Sequence, residues 1–131
     1  MGRATGRFTV TGGSEQTVRD APGEVRLTRV SGTQRFGGAI VGEGSVEWVF
    51  CYRPDRSARF VGVQRIEGSI DGRAGSLVME SIGDHDGRQS KGHWHVIPGS
   101  GTGELAGIGG EGSFEAPGGS EATFALEYHL G

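Results

Sequence analysis

The sequence predicts an all-β fold, a closed antiparallel barrel of about eight strands. Three observations carry this. First, stretches in which apolar and polar residues alternate follow one another at residues 3–11, 25–36, 39–53, 58–70, 73–84, 90–97, 105–115 and 121–129, separated by Gly, Pro, Asp and Ser. Second, no window places apolar residues at i, i+3, i+4 and i+7, so no helix longer than a turn is expected. Third, glycine supplies 27 of the 131 residues. Glycine at this level disfavours helix interiors by about 1 kcal/mol per position, whereas turns, bulges and barrel corners tolerate it. It has no G-X-Y period, which excludes collagen. With 34% hydrophobic residues and only 4 prolines, the chain has the composition of a folded protein. Its length suits one domain over residues 1–131.

Hairpin counting assigns the faces. Asp71-Gly72 is a two-residue type I′ turn signal. It pairs Ile70 with Arg73, Ile66 with Leu77, Gln64 with Met79 and Gly62 with Ser81. Side chains alternate, so Phe60, Gln64, Ile66, Leu77, Met79 and Ser81 share one face. Arg65, Glu67 and Glu80 lie on the other face with Val61, Val63 and Val78. Charges belong outside, so the first face is the interior. A loop over residues 54–58 would set Tyr52 opposite Phe60 and Trp48 opposite Gln64, which turns Trp48, Phe50 and Tyr52 inward. Trp94 and Val96 alternate with Lys91, His93 and His95, so Trp94 also points in. On the last strand Phe124, Leu126 and Tyr128 do the same. Gly42-Glu43-Gly44 suggests a bulge, which leaves the register of the second strand open.

The interior read this way is aromatic with a few polar groups. An eight-stranded barrel is either filled by side chains or holds one small ligand. Gly62, Gly68 and Gly75 on the inner face remove side-chain volume and favour a ligand-sized cavity over a filled core. The net charge is −3 with charges interspersed, and no basic stripe supports a nucleic-acid partner. No apolar run approaches the ~20 residues of a membrane helix, so no membrane partner is expected. The N-terminal MGRATGRFTV has no apolar core of the kind a signal peptide needs. Cys51 is the lone cysteine, which excludes an internal disulfide framework. These features fit a cytoplasmic protein.

The segments FVGVQRIEGSIDGRAGSLVMES (60–81) and HWHVIPGSGTGELAGIGGEG (93–112) carry a resemblance. The run VIPGSGTGELAGI looks like the signature of a bacterial family known only as a domain of unknown function. That family is similar in fold to the allene oxide cyclase-like β-barrels. The upstream LTRVSGTQRFGGAIVGEGSVEWVFCYR also fits the pattern, so the likeness covers most of the chain. It implies an eight-stranded antiparallel barrel, often assembled as an oligomer. Relatives by fold include plant allene oxide cyclases, which guide an unstable epoxide to one cyclised product. Many members of the family carry Glu where this chain has Gln64 and His where it has Ser81. Gln exchanges no proton near neutral pH, which puts acid–base catalysis at these positions in doubt.

Several motifs invite a chemical reading. His93 and His95 share a strand face, and together with Gly87 they resemble the start of a cupin metal motif. Gly99 and Ser100 stand where the carboxylate is needed, and both histidines face outward, so no metal is expected. Residues 107–112 match GxGxxG, but a strand rather than a helix follows, so a glycine-kinked barrel strand is the better reading. Glu104 holds its loop by accepting backbone N–H bonds, or else gates the barrel mouth or acts as an acid. Asp84, His85 and Asp86 read as a solvated turn. Cys51 reads as an inert outward thiol.

The best constellation is Trp48, Tyr52, Gln64 and Trp94. Either these fill an ordinary core, or aromatic walls hold an apolar substrate that polar groups orient. On the second reading the protein is an isomerase or cyclase that folds a small, mostly apolar metabolite without a cofactor. Tyr52 and Gln64 would be catalytic, polarising a substrate oxygen. Trp48, Phe50, Met79, Ser81, Trp94 and Tyr128 would bind the ligand. The alternative is a non-catalytic carrier of a small hydrophobic molecule, and a third possibility is a structural oligomer with a solid core. The outward stripe of Val61, Val63 and Val78 suggests a homo-oligomer, most simply a dimer.

Overall fold

The computed structural model describes residues 2–131. Eight strands run in chain order: β1 Gly2–Arg19, β2 Arg26–Gly38, β3 Ile40–Tyr52, β4 Ala58–Ile70, β5 Arg73–His85, β6 Ser90–Val96, β7 Ile108–Ala116 and β8 Glu121–Leu130. Each pairs antiparallel with its neighbour in sequence, and β8 closes the barrel onto β1. The edge-strand problem is thereby removed over the closed part of the sheet.

The β4–β5 hairpin has the predicted register, from Ile70↔Arg73 to Gly62↔Ser81. Asp71 and Gly72 take φ +49° and +84°, the two positive angles a type I′ turn requires. The β3–β4 register differs from the expectation by two residues. Tyr52 pairs with Ala58, Phe50 with Phe60 and Trp48 with Gly62. The loop closes one step earlier, with Arg53 N donating to Ser57 O at 2.8 Å and Asp55 bonding the Ser57 N–H and hydroxyl. A shift of two preserves side-chain parity, so the inward assignment of Trp48 and Phe50 stands.

No bulge occurs at Gly42-Glu43-Gly44, where β2 and β3 pair without a break from Phe36↔Gly42 onward. The register shifts lie in β1, between Val10 and Gly12 and between Thr17 and Arg19. They bend the second half of β1 away from the barrel.

The core is a cluster of rings. Phe8, Phe36, Phe114 and Phe124 surround Trp94 with centroids 5.1–6.3 Å apart, the separations at which aromatic pairs attract. Trp94, Leu77, Met79, Ile40 and Ile70 are fully buried. The glycines expected to open a cavity do not do so. A Cβ at Gly62 would collide with the Glu47 carbonyl oxygen, at Gly68 with that of Val41 and at Gly75 with that of Thr102. These glycines let backbones approach closely.

The two ends of the barrel are built differently. At one end the β6–β7 connection folds inward, and its 3-10 turn Gly103–Leu105 plugs the opening with Leu105. β7 therefore starts at Ile108, three residues later than the alternation suggests. The same connection serves the part of β5 that β6 does not reach. Thr102 N donates to Ser76 O at 2.9 Å, Ile97 N to Val78 O at 2.9 Å and Val78 N to Ser100 Oγ at 3.1 Å. At the other end β1 leaves β8 after Thr9↔Glu121 and runs on paired with β2, which itself stays paired with β3 as far as Tyr52, so the second half of β1 forms an arm at an open edge of the sheet.

Candidate functional site

Inside the barrel a chain of side-chain amides crosses from β6 to β2. The Trp94 indole N–H donates to Gln64 Oε1 at 3.0 Å, and Gln64 Nε2 donates to Gln34 Oε1 at 2.6 Å. All three residues are fully buried. An indole N–H can only donate, so it fixes Gln64 with its oxygen toward Trp94 and its amide nitrogen toward Gln34. Gln34 must then offer its oxygen to Gln64 and is left with a free N–H. Gly44 lies opposite Gln34, and a Cβ there would press on Phe36 and on Gln34 Oε1.

The end of this chain meets a groove of about 570 Å³ where the arm departs from the barrel. Val10, Val30, Val46 and Trp48 form its apolar walls, with Gly12, Gly13 and Gly32 between them. The groove exists because the β8 side of β1 makes its last backbone bond from Val10 N to Ser120 O, at 2.8 Å, so the inner face of the flared β1–β2–β3 sheet opens to solvent. Two of its lining residues, Gln34 and Trp48, each carry a buried N–H with no hydrogen-bond partner, Nε2 and Nε1 respectively. Several hydroxyls around them are engaged. Thr11 and Thr33 hydroxyls pair at 2.8 Å, and Ser31 donates to Glu47 at 2.6 Å.

Glu15 stands at the outer end of the groove. Its Oε2 accepts from Thr28 Oγ1 at 2.7 Å and from the Tyr52 hydroxyl at 2.8 Å. Burial, reinforced by this bond to a carboxylate, pushes the Tyr52 phenol up to about 12. The Arg26 guanidinium lies 4.6 Å above the Tyr52 ring, a cation–π contact.

The residues singled out in the sequence are thus distributed over three places. Gln64 and Trp94 meet in the buried amide chain, with Met79 beside Gln64 on the neighbouring strand. Trp48 lines the groove, and Phe50 stacks between Phe60 and Tyr52, with centroids 5.1 and 5.6 Å away. Tyr52 is a rim residue. Ser81 is fully buried and its hydroxyl has no partner. Tyr128 is at the plugged end, where its hydroxyl donates to Asp71, which raises its pKa. Gln34, Glu15, Val10 and Val30 were not singled out. Continuous β2–β3 pairing would have revealed Gln34 and Val30, since it aligns Thr28, Val30, Gly32, Gln34 and Phe36 on the inner face. Glu15 needed the β1 bulge, which reverses the parity of the arm.

The remaining motifs lie apart from the groove. His93 and His95 are exposed, and His95 lies 3.5 Å from Glu111. Among the described residues no three His, Cys, Asp or Glu side chains converge as a metal site. Glu104 accepts the Ala74 N–H at 3.3 Å. Asp86 organises its turn by accepting the N–H groups of Arg88 and Gln89, which lowers its pKa. Asp84 bonds Arg59 at 2.7 Å, and His85 bonds Ser90 at 2.8 Å. Cys51 is a half-buried free thiol. Val61 and Val63 are exposed and Val78 is half-buried.

Comparison with known proteins matches residues 4–128 to the family described as Protein of unknown function (DUF3224). The chain belongs to the DUF3224 family. A crystal structure of a DUF3224 protein of unknown function from Shewanella oneidensis MR-1 is similar, with a TM-score of 0.80 at 24% identity. The match covers 100% of this chain and 98% of that one. A search of curated proteins gives no match. In this DUF3224 barrel the 98–105 segment, PGSGTGEL, is the plug and the edge cover for β5. Among the described residues no helix is long and apolar enough to cross a membrane.

Proposed function

We propose that this DUF3224 protein binds a small, mostly apolar molecule in the groove between the arm and β3. The observation that carries the reading is the groove itself: about 570 Å³, walled by valines and Trp48, beside a core in which rings and backbone fill the space. This size and lining suit a small-molecule site. Carriage or sensing is favoured over turnover because both atoms of the Gln64 amide group that could engage a substrate are committed to Trp94 and Gln34. The binding site is proposed to lie in the cytoplasm, for which the lone Cys51 is the support. Dimerisation through Val61 and Val63 is part of the same proposal and is read by light scattering.

Native mass spectrometry of protein purified from its own host is expected to show a retained adduct, and Val10→Trp is expected to abolish it. Val10 is exposed and lines the groove, so the substitution fills the site without disturbing the core. An adduct that survives Val10→Trp contradicts this location.

A second reading, an isomerase or cyclase, is supported by Glu15, a carboxylate at the groove's outer end held by Thr28 and Tyr52. It predicts that Glu15→Gln abolishes conversion of a groove ligand while leaving its binding within about twofold.

A further inference from the structure

Building on the proposed groove, we infer that its ligand carries a neutral carbonyl-type oxygen (a ketone, ester or lactone) held by the N–H groups of Gln34 and Trp48. The direction of the amide chain is the first reason. Trp94 is donor-only, so every link after it is fixed, and the terminal group must be a donor. Turning the Gln34 amide over would bring its oxygen to the groove only by setting two N–H groups against each other and losing the bond to Gln64. The second reason is independent of the chain. Trp48 Nε1, on another strand of the same groove, is also a buried N–H without a partner. A groove whose two orphaned buried groups are both donors selects a ligand that accepts. A buried unpaired N–H is costly, and an acceptor oxygen removes that cost.

Charge narrows the class further. Glu15 lines the groove, and its nearest hydrogen-bonding partners, Thr28 and Tyr52, are neutral. A ligand carboxylate would add a second negative charge to the groove that holds Glu15. Neither nitrogen has open surface, so the oxygen reaches them at the inner end of the groove only when the half-buried Trp48 side chain moves aside.

The protein has only two tryptophans, so its two indole N–H signals in a ¹⁵N–¹H spectrum report the two environments separately. The intact protein is titrated with 1-tetralone, tetralin and tetralin-1-carboxylate, which share one ring system. The expected result is that 1-tetralone binds at least about tenfold more tightly than tetralin and moves the Trp48 indole signal while leaving that of Trp94 in place. Trp48→Phe is expected to narrow the ratio of the 1-tetralone and tetralin affinities. Equal affinity for 1-tetralone and tetralin overturns the inference and leaves the binding groove standing. Tighter binding of the carboxylate overturns the neutral class. No binding of any of the three at millimolar concentration overturns both the inference and the groove reading beneath it.

Discussion

The plugged end and the flared end of this barrel start from the same material, alternating strands punctuated by glycine, and finish with opposite properties. At the plugged end each exposed element has a partner. The β6–β7 connection covers the free edge of β5, Leu105 fills the opening, and the Tyr128 hydroxyl is tied to Asp71. At the flared end β1 loses β8 after Thr9, residues 10–20 are all exposed, and two indole or amide N–H groups are left over. The difference comes from a one-residue irregularity at Thr11 and the missing strand partner beyond it. Closure gives stability, and a local failure of closure gives a concave surface with unspent hydrogen bonds. Binding sites are commonly built this way, as a less stable region on a rigid scaffold.

The contrast breaks most readily at its rigid side. Trp94→Ala removes the ring around which four phenylalanines pack and is expected to lower stability by about 3–5 kcal/mol in urea unfolding. Gln64→Leu cuts the amide chain and orphans the Trp94 N–H and the Gln34 oxygen. The expected loss is about 1–3 kcal/mol for each group left without a partner.

The tyrosines report both ends by pH. The folded pKa of each is raised, so the stability each contributes is complete below the unfolded value near 10 and is lost as pH rises through the folded value. In Tyr128→Phe the remaining phenol is expected to titrate near 12 by ultraviolet absorbance, and a midpoint near 10 would detach Tyr52 from Glu15. At the flared end Val10→Trp is expected to change stability by no more than about 0.5 kcal/mol, although it fills the groove. A large loss would mean that the arm is part of the core.

The scaffold was legible because it follows local rules. Asp71-Gly72 set a register that propagated across β4 and β5, and alternation placed Trp94, Met79 and Ser81 inside. The β3–β4 error came from loop chemistry, since the Asp55–Ser57 bonds tighten the turn by one step, and parity survived it. The groove was not legible. Its walls depend on the β1 bulge, on where β1 parts from β8, and on glycines whose effect on close strand approach cannot be told from their effect on cavity space without coordinates. Gln34 escaped notice because the suspected bulge at Gly42–Gly44 left its strand unassigned. Gln64 was found, but the chain that gives it direction joins residues 30 apart on either side.

Hydrogen exchange of the two indole N–H groups in the unliganded protein measures both ends in one spectrum. The Trp94 N–H, bonded to Gln64 in the closed core, should exchange only with global unfolding. The Trp48 N–H, unbonded beside the groove, should exchange through local opening and at least about a hundredfold faster. Equal protection of the two indoles would contradict the division of the barrel into a closed scaffold and an open, donor-lined site.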